Sequence, residues 1–391
     1  MKDSAGWNRT RCRAWIDGSP SALSDGTLKV AEPQPADCDV NIDHSRVESA
    51  PPSFAIADRR VGADEPVFVI AEVGINHGGD AALCARMMEA AAAAGADAVK
   101  LQTIDADESY VKGTLSYNEF NGKEISDEAL AGLLRLADRL RLVLFSTPGD
   151  FVSLERMTRL GMAAVKISSG LMTNLPLIAA AARQRLPLII STGLAHETEI
   201  AEAVDSAHAQ GAHGLALLKC TALYPASDDA INLRALPAMQ QRFGVPVGYS
   251  DHTLDDLACT AAVALGASVI EKHFTLDNTL PGADHRVSME PGPFVAMVQR
   301  IRRLELMRGD GRIRPVAEEE AVRAERHRCL VARRDIAAGE RFTAENVALK
   351  RPLPGRVGLS PRYYERVLGC VTAHAMRQDD PIVREGVVGF P

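Results

Sequence analysis

The sequence predicts an α/β protein, a (β/α)8 TIM barrel followed by a small second domain. Three features predict it. From residue 67 a strand-like run followed by a helix-like run repeats eight times. The strand-like runs are near-continuous apolar segments rich in Val and Ile, as strands covered by helices on one face and by a barrel core on the other must be. Each run ends at its carboxyl side in polar side chains, which is where this architecture carries its chemistry. A doubly wound open sheet is the alternative, and it is weakened because no G-x-G-x-x-G follows the first run.

In chain order, residues 1–64 are rich in Asp, Ser, Pro and Ala and lack a sustained apolar period. They are expected to be a disordered extension, since they bury too little surface to offset ordering entropy. This segment holds both tryptophans, Trp7 and Trp15, beside Arg9, Arg11 and Arg13. No apolar core follows the basic cluster, so it does not read as a secretory signal, and the Asn8-Arg9-Thr10 sequon lacks a secretory context. The strand candidates are 67–74, 98–102, 142–148, 164–170, 186–193, 215–220, 245–251 and 269–275. Helical stretches fall at 81–94, 128–140, 197–210, 254–265 and 293–306. The expected division is therefore a barrel over 65–306, a charged linker over 307–327 with the run Glu318-Glu319-Glu320, and a β-rich domain over 328–391.

Composition narrows the function. With a formal net charge of -7 and no basic stripe, the chain has no footing for nucleic acid, and no membrane partner is expected. The seven cysteines are dispersed without C-x-x-C spacing, which points to reduced thiols and a cytoplasmic location.

The polar strand ends define the candidate site. They are Glu72, Asn76 and His77; Lys100 and Gln102; Ser146 and Thr147; Lys166, Ser168 and Ser169; Ser191 and Thr192; Lys219, Thr221 and Tyr224; Ser250, Asp251 and His252; and Glu271, Lys272 and His273. The last two runs, joined by one crossover helix, should be neighbouring parallel strands. His252 and His273 then face each other across one strand spacing, a geometry suited to a divalent metal, although either alone reads more often as a hydrogen-bonded polar residue. Lys100 and Lys166 at buried strand ends need an anion. That anion is either a phosphate or carboxylate ligand, or the side chain of Glu72 or Glu271.

The segments Val69-Ile70-Ala71-Glu72-Val73-Gly74-Ile75-Asn76-His77, Ala98-Val99-Lys100-Leu101-Gln102, Ser191-Thr192-Gly193, Tyr224-Pro225, Ser250-Asp251-His252-Thr253, Glu271-Lys272-His273-Phe274 and Pro281-Gly282-Ala283-Asp284 resemble the sialic acid synthase (N-acetylneuraminate synthase) family. The resemblance implies condensation of phosphoenolpyruvate with the aldehyde of N-acetylmannosamine or a related amino sugar, with release of phosphate. It implies that Lys100, Thr147, Lys166, Ser169, Ser191 and Ser250 cradle phosphoenolpyruvate. Gln102, Tyr224 and Asp284 would lie on the sugar side, and Glu72 would manage water and protons, so that Glu72, Lys100, Lys166 and Asp284 form the catalytic set. His252 and His273 would bind the metal, Mn2+ foremost, with Mg2+ or Co2+ as alternatives.

The tail, with Val331-Ala332-Arg333-Arg334-Asp335-Ile336, resembles the antifreeze-like SAF domain that follows the barrel in that family. This implies a homodimer whose SAF domain reaches over the partner's barrel and brings Arg351 to the sugar. The chain departs from the family pattern at Leu171, where a Glu is usual, and at Ala222. Those departures favour an acceptor with fewer hydroxyls and a legionaminic- or pseudaminic-type product. A catalytically silent sugar-binding barrel is the rival from another class.

Overall fold

The computed structural model describes residues 52–390. The expectations made for Trp7, Trp15 and the rest of 1–51 lie outside the described residues. The described residues open with an antiparallel hairpin, β1 (Ser53–Ile56) and β2 (Arg59–Gly62). Eight parallel strands follow and close into a barrel: β3 (Phe68–Gly74), β4 (Ala98–Thr103), β5 (Val143–Pro148), β6 (Val165–Ile167), β7 (Leu188–Ser191), β8 (Leu215–Cys220), β9 (Val247–Asp251) and β10 (Val269–His273). Neighbours in sequence are neighbours in space, and β10 pairs with β3 to close the ring.

Strand alternation splits the apolar residues into two cores. Phe68, Ile70, Phe145, Ile189 and Leu218 fill the barrel interior. Val69, Val99, Leu144, Leu217 and Ile270 face outward, under helices such as Ala81–Ala93, Asp127–Leu140, Glu197–Ala209 and Pro291–Arg308. The first two of those helices begin where short polar residues cap free backbone N–H groups. Asp80 accepts from the N–H groups of Ala82 and Leu83, and Ser126 from that of Ala129. Gly248 lets β9 approach β10, because a Cβ there would lie 2.4 Å from the carbonyl oxygen of Val269.

The expectation of disorder up to residue 64 is wrong for 52–62. Ile56 and Val61 are fully buried and join the interior core from its amino-terminal end, with Phe54 packed against it. The hairpin stoppers the barrel, and its short strands escape a period-based reading because only one face of each is apolar. Deleting residues 1–63 should therefore lower Tm by several degrees, since burying the two side chains contributes about 1.5–3 kcal/mol each. A melt by circular dichroism that does not move would contradict the stopper.

The linker is also more ordered than expected: the preceding helix runs to Arg308, and Ala317–Arg326 is helical. Beyond it, β11 (Cys329–Ala332) pairs with β12 (Val347–Lys350), and β13 (Val371–Thr372) with β14 (Val387–Val388). Leu330, Ile336, Phe342, Val367, Met376 and Ile382 form a small core of their own.

Candidate active site

The carboxyl ends of the strands surround a cavity of about 440 Å³, within the range of small-molecule sites. Glu72, Lys100, Gln102, Thr147, Lys166, Ser169, Ser191, Tyr224, Ser250, His252 and His273 all line it, together with Leu171 and Ala222. Period-two alternation explains the convergence: Ser250 and His252 point inward from one strand end, Glu271 and His273 from the next, and β10 sets His273 beside Glu72.

Two buried lysines meet two buried carboxylates there. Lys100 Nζ lies 3.2 Å from both Glu72 and Glu271, and Lys166 Nζ lies 3.8 Å from Glu271 while donating to Ser191 Oγ at 2.6 Å. Ser250 Oγ donates to Glu271 at 2.9 Å. Burial raises Glu271, but Lys100 and Lys166 outweigh it and hold the carboxyl down at about 2. Burial pushes Glu72 up to about 7, against the pull of Lys100 and with the help of Glu271. Lys166 is lowered to about 8 by burial, despite Glu271, whereas the two carboxylates overcome burial at Lys100 and raise it. The lysines are thus held charged without a ligand, and Glu72 is poised to exchange a proton near neutrality.

At the ends of β9 and β10 the rings of His252 and His273 are 5.4 Å apart. The Nδ1 of His252 lies 2.7 Å from the carbonyl oxygen of Thr221. Donation to that carbonyl leaves Nε2 as a free lone pair. His273 Nδ1 is buried with no hydrogen-bond partner, and burial, His252 and Lys100 keep the ring's pKa well below the usual value. Burial lowers the pKa of His252, but Cys220 and the Thr221 carbonyl outweigh it and raise it. Two imidazoles, deprotonated on binding, fit a divalent transition metal. No group of three or more His, Cys, Asp or Glu side chains with ligand spacing occurs among the described residues, so the remaining coordination positions would go to water or substrate oxygen.

Not every strand-end residue enters the cavity. Asn76 is committed to the carbonyl oxygen of Phe274 and Ser288 Oγ, and His77 Nδ1 accepts from the N–H of Gly79. Ser146 bonds Thr103. Lys272 points outward and pairs with Asp251 at 2.6 Å, and Lys219 also faces away from the barrel interior. Asp284 sits at the edge, its carboxylate 4.0 Å from His273 Nδ1. Arg351 is exposed in the tail and donates to the carbonyl oxygen of Arg326, and no side chain from 328–390 lines the cavity. Glu271 was read from sequence only as a possible partner for the lysines, yet it links both; its place two residues before His273 on one strand face was the available signal. Ser109 and Tyr110 also line the cavity. They arrive on a loop after β4 that carries no period to announce it.

Comparison with known proteins gives a consistent picture. The NeuB family model matches residues 87–313, and the SAF domain model matches 327–388. The chain is 38% identical to N,N'-diacetyllegionaminic acid synthase of Legionella pneumophila, over 79% of this chain and 91% of that protein. It is 33% identical to pseudaminic acid synthase of Campylobacter jejuni serotype O:2, over 78% and 92%. The crystal structure of N-acetylneuraminic acid (sialic acid) synthetase from Leptospira borgpetersenii in complex with citrate superposes with a TM-score of 0.66 at 33% identity, covering 69% of this chain and 94% of that one.

Proposed function

The chain belongs to the NeuB family and ends in a SAF domain, and from that premise we propose that it is a nonulosonic acid synthase condensing phosphoenolpyruvate with an amino-sugar aldehyde. The observation that carries this reading is the pairing, in one cavity, of two charged buried lysines with two metal-competent imidazoles.

Lys100 and Lys166 would hold the phosphate and carboxylate, with hydroxyl donors from Thr147, Ser169, Ser191 and Ser250. Thr147 Oγ1 is buried without a partner, as a donor awaiting a ligand would be. Gly193 fixes Ser169 in this cradle: its N–H donates to Ser169 Oγ at 3.1 Å, and a Cβ there would lie 2.6 Å from that oxygen. Carbon three of the enol attacks the aldehyde carbon, water adds at carbon two, and the carbon–oxygen bond to phosphate breaks to leave the 2-keto acid. Glu72 takes the proton from the water. A divalent ion on His252 and His273, foremost Mn2+, would supply Lewis acidity at the aldehyde oxygen. Gln102 donates to Glu72 at 2.8 Å, and with Tyr224 and Asp284 it bounds the sugar side.

Leu171 and Ala222 on that side leave little to match sugar hydroxyls, which favours a diacetamido-trideoxyhexose over N-acetylmannosamine. Phosphate release from phosphoenolpyruvate with a panel of both sugars tests the reading. Release that depends on sugar, and is fastest with the trideoxy compound, is expected. No release with any sugar would favour the silent sugar-binding barrel.

The working unit we propose is a cytoplasmic homodimer. No helix among the described residues is long and apolar enough to cross a membrane. Exposed apolar side chains stand on the segments that follow the barrel strands, including Val111, Leu115, Phe151, Leu194, Leu223 and Leu254, with Leu194 lining the cavity itself, a surface that calls for a cover. Residues 328–391 carry a surplus of four positive charges in a chain of net -7, so electrostatics favour docking of a SAF domain on the acidic remainder of a second copy. If Arg351 acts across the dimer, mixing Arg351→Ala with His273→Ala protein should restore activity through hybrids that hold one intact site. With subunit exchange verified, a mixture no more active than its components would contradict this arrangement.

A further inference from the structure

Alternation along β8 sends Leu218 and Cys220 toward the barrel interior, and Leu215, Leu217 and Lys219 into the layer beneath the helices. A lysine in an apolar layer needs a counter-ion, because an unpaired buried charge is costly. The other lysine of this layer has one: Lys272 meets Asp251 at 2.6 Å and also donates to the carbonyl oxygens of Thr253 and Asp255. Lys219 is 8% exposed, donates to Thr221 Oγ1 at 2.6 Å, and forms no ion pair among the described residues. Burial lowers its pKa.

Lys219 lines a second cavity of about 480 Å³, between the start of helix Glu197–Ala209 and helix Ala235–Phe243. Ile200, Met239 and Phe243 supply an apolar wall, and the other cation there, Arg242, is already engaged by Glu197 at 2.8 Å. We propose that this cavity is a second ligand site that takes a monocarboxylate with an apolar body, its carboxylate on Lys219 and its body against Ile200, Met239 and Phe243. One unpaired ammonium balances one carboxylate, and the walls reward a body without hydroxyls. The inference does not depend on the reaction proposed above, since β8 separates Lys219 from the catalytic lysines.

The test uses 4-bromobenzoate with the full chain in the presence of phosphoenolpyruvate, so that Lys100 and Lys166 are occupied. Calorimetric titration should show binding that Lys219→Met weakens at least about tenfold and Lys219→Arg retains, as expected for a charge-assisted contact. Ala238→Trp, on the exposed face of its helix, should block the cavity and serves if Lys219→Met fails to fold. Anomalous diffraction should place the bromine between the two helices. Bromine in the catalytic cavity alone, affinity unchanged in both Lys219→Met and Ala238→Trp, or binding at crystal concentration only, would overturn the proposal. Loss of the synthase reading would show instead as absent phosphate release, with the bromine still between the two helices.

Discussion

Lys166→Met should lower kcat/KM for phosphoenolpyruvate by about 10²- to 10³-fold while leaving Tm almost unchanged, whereas Lys100→Met should lower both. The difference follows from the partners. Lys166 touches Glu271 only at 3.8 Å and otherwise bonds Ser191 and the carbonyl oxygen of Ile167, so its removal leaves Glu271 paired with Lys100. A methionine fills its space without polar atoms. What is lost is a buried charge on the ligand, worth about 2–5 kcal/mol. Removing Lys100 instead strips Glu72 of its cation and leaves Glu271 beside it with only Lys166 at 3.8 Å, which should cost about 3–5 kcal/mol of stability. Steady-state kinetics and thermal melts on the two variants check this. A Lys166→Met enzyme with normal kcat/KM would mean that the lysines serve only the ion-pair network.

Chelation should abolish turnover without unfolding the barrel, and His273→Ala should reduce kcat by about 10³-fold or more, since Lewis-acid polarisation contributes several kcal/mol of transition-state stabilisation. Stability should survive because both imidazoles line an open cavity and the variant keeps the bond of His252 Nδ1 to the carbonyl oxygen of Thr221. His273 Nδ1 bonds nothing among the described residues, so the alanine variant leaves no polar group stranded. Readdition of Mn2+ should restore the wild type and not the variant. Full activity in chelator, or in a metal-stripped His273→Ala protein, would remove the metal from the account.

Much of this was legible in the sequence because barrel strands announce themselves twice, once by continuous apolar runs and again by the polar residues that end them. The register that sets His273 beside Glu72 follows from strand order. Direction along a strand end was harder to read. Lys219 and Lys272 look like site residues in a string of letters, yet each points outward by one step of the pleat. Glu271, one step from Lys272, turns inward and links both lysines. The hairpin at 53–62 was missed because four-residue strands with one buried face carry too little pattern, and their burial depends on a barrel end that only the closed fold creates. Tyr110 reaches the cavity from a loop and short helix whose position no local rule fixes.

The most direct measurement of the central claim uses phosphoenolpyruvate carrying ¹⁸O in the bridge between carbon two and phosphorus, mixed with the enzyme, Mn2+ and the amino sugars. If carbon three attacks the aldehyde and water adds at carbon two, the carbon–oxygen bond breaks, and mass spectrometry should find the label in the released phosphate. A nine-carbon 2-keto acid should appear in equal amount, and only when sugar is present. Unlabelled phosphate, or phosphate released without sugar, would contradict the account.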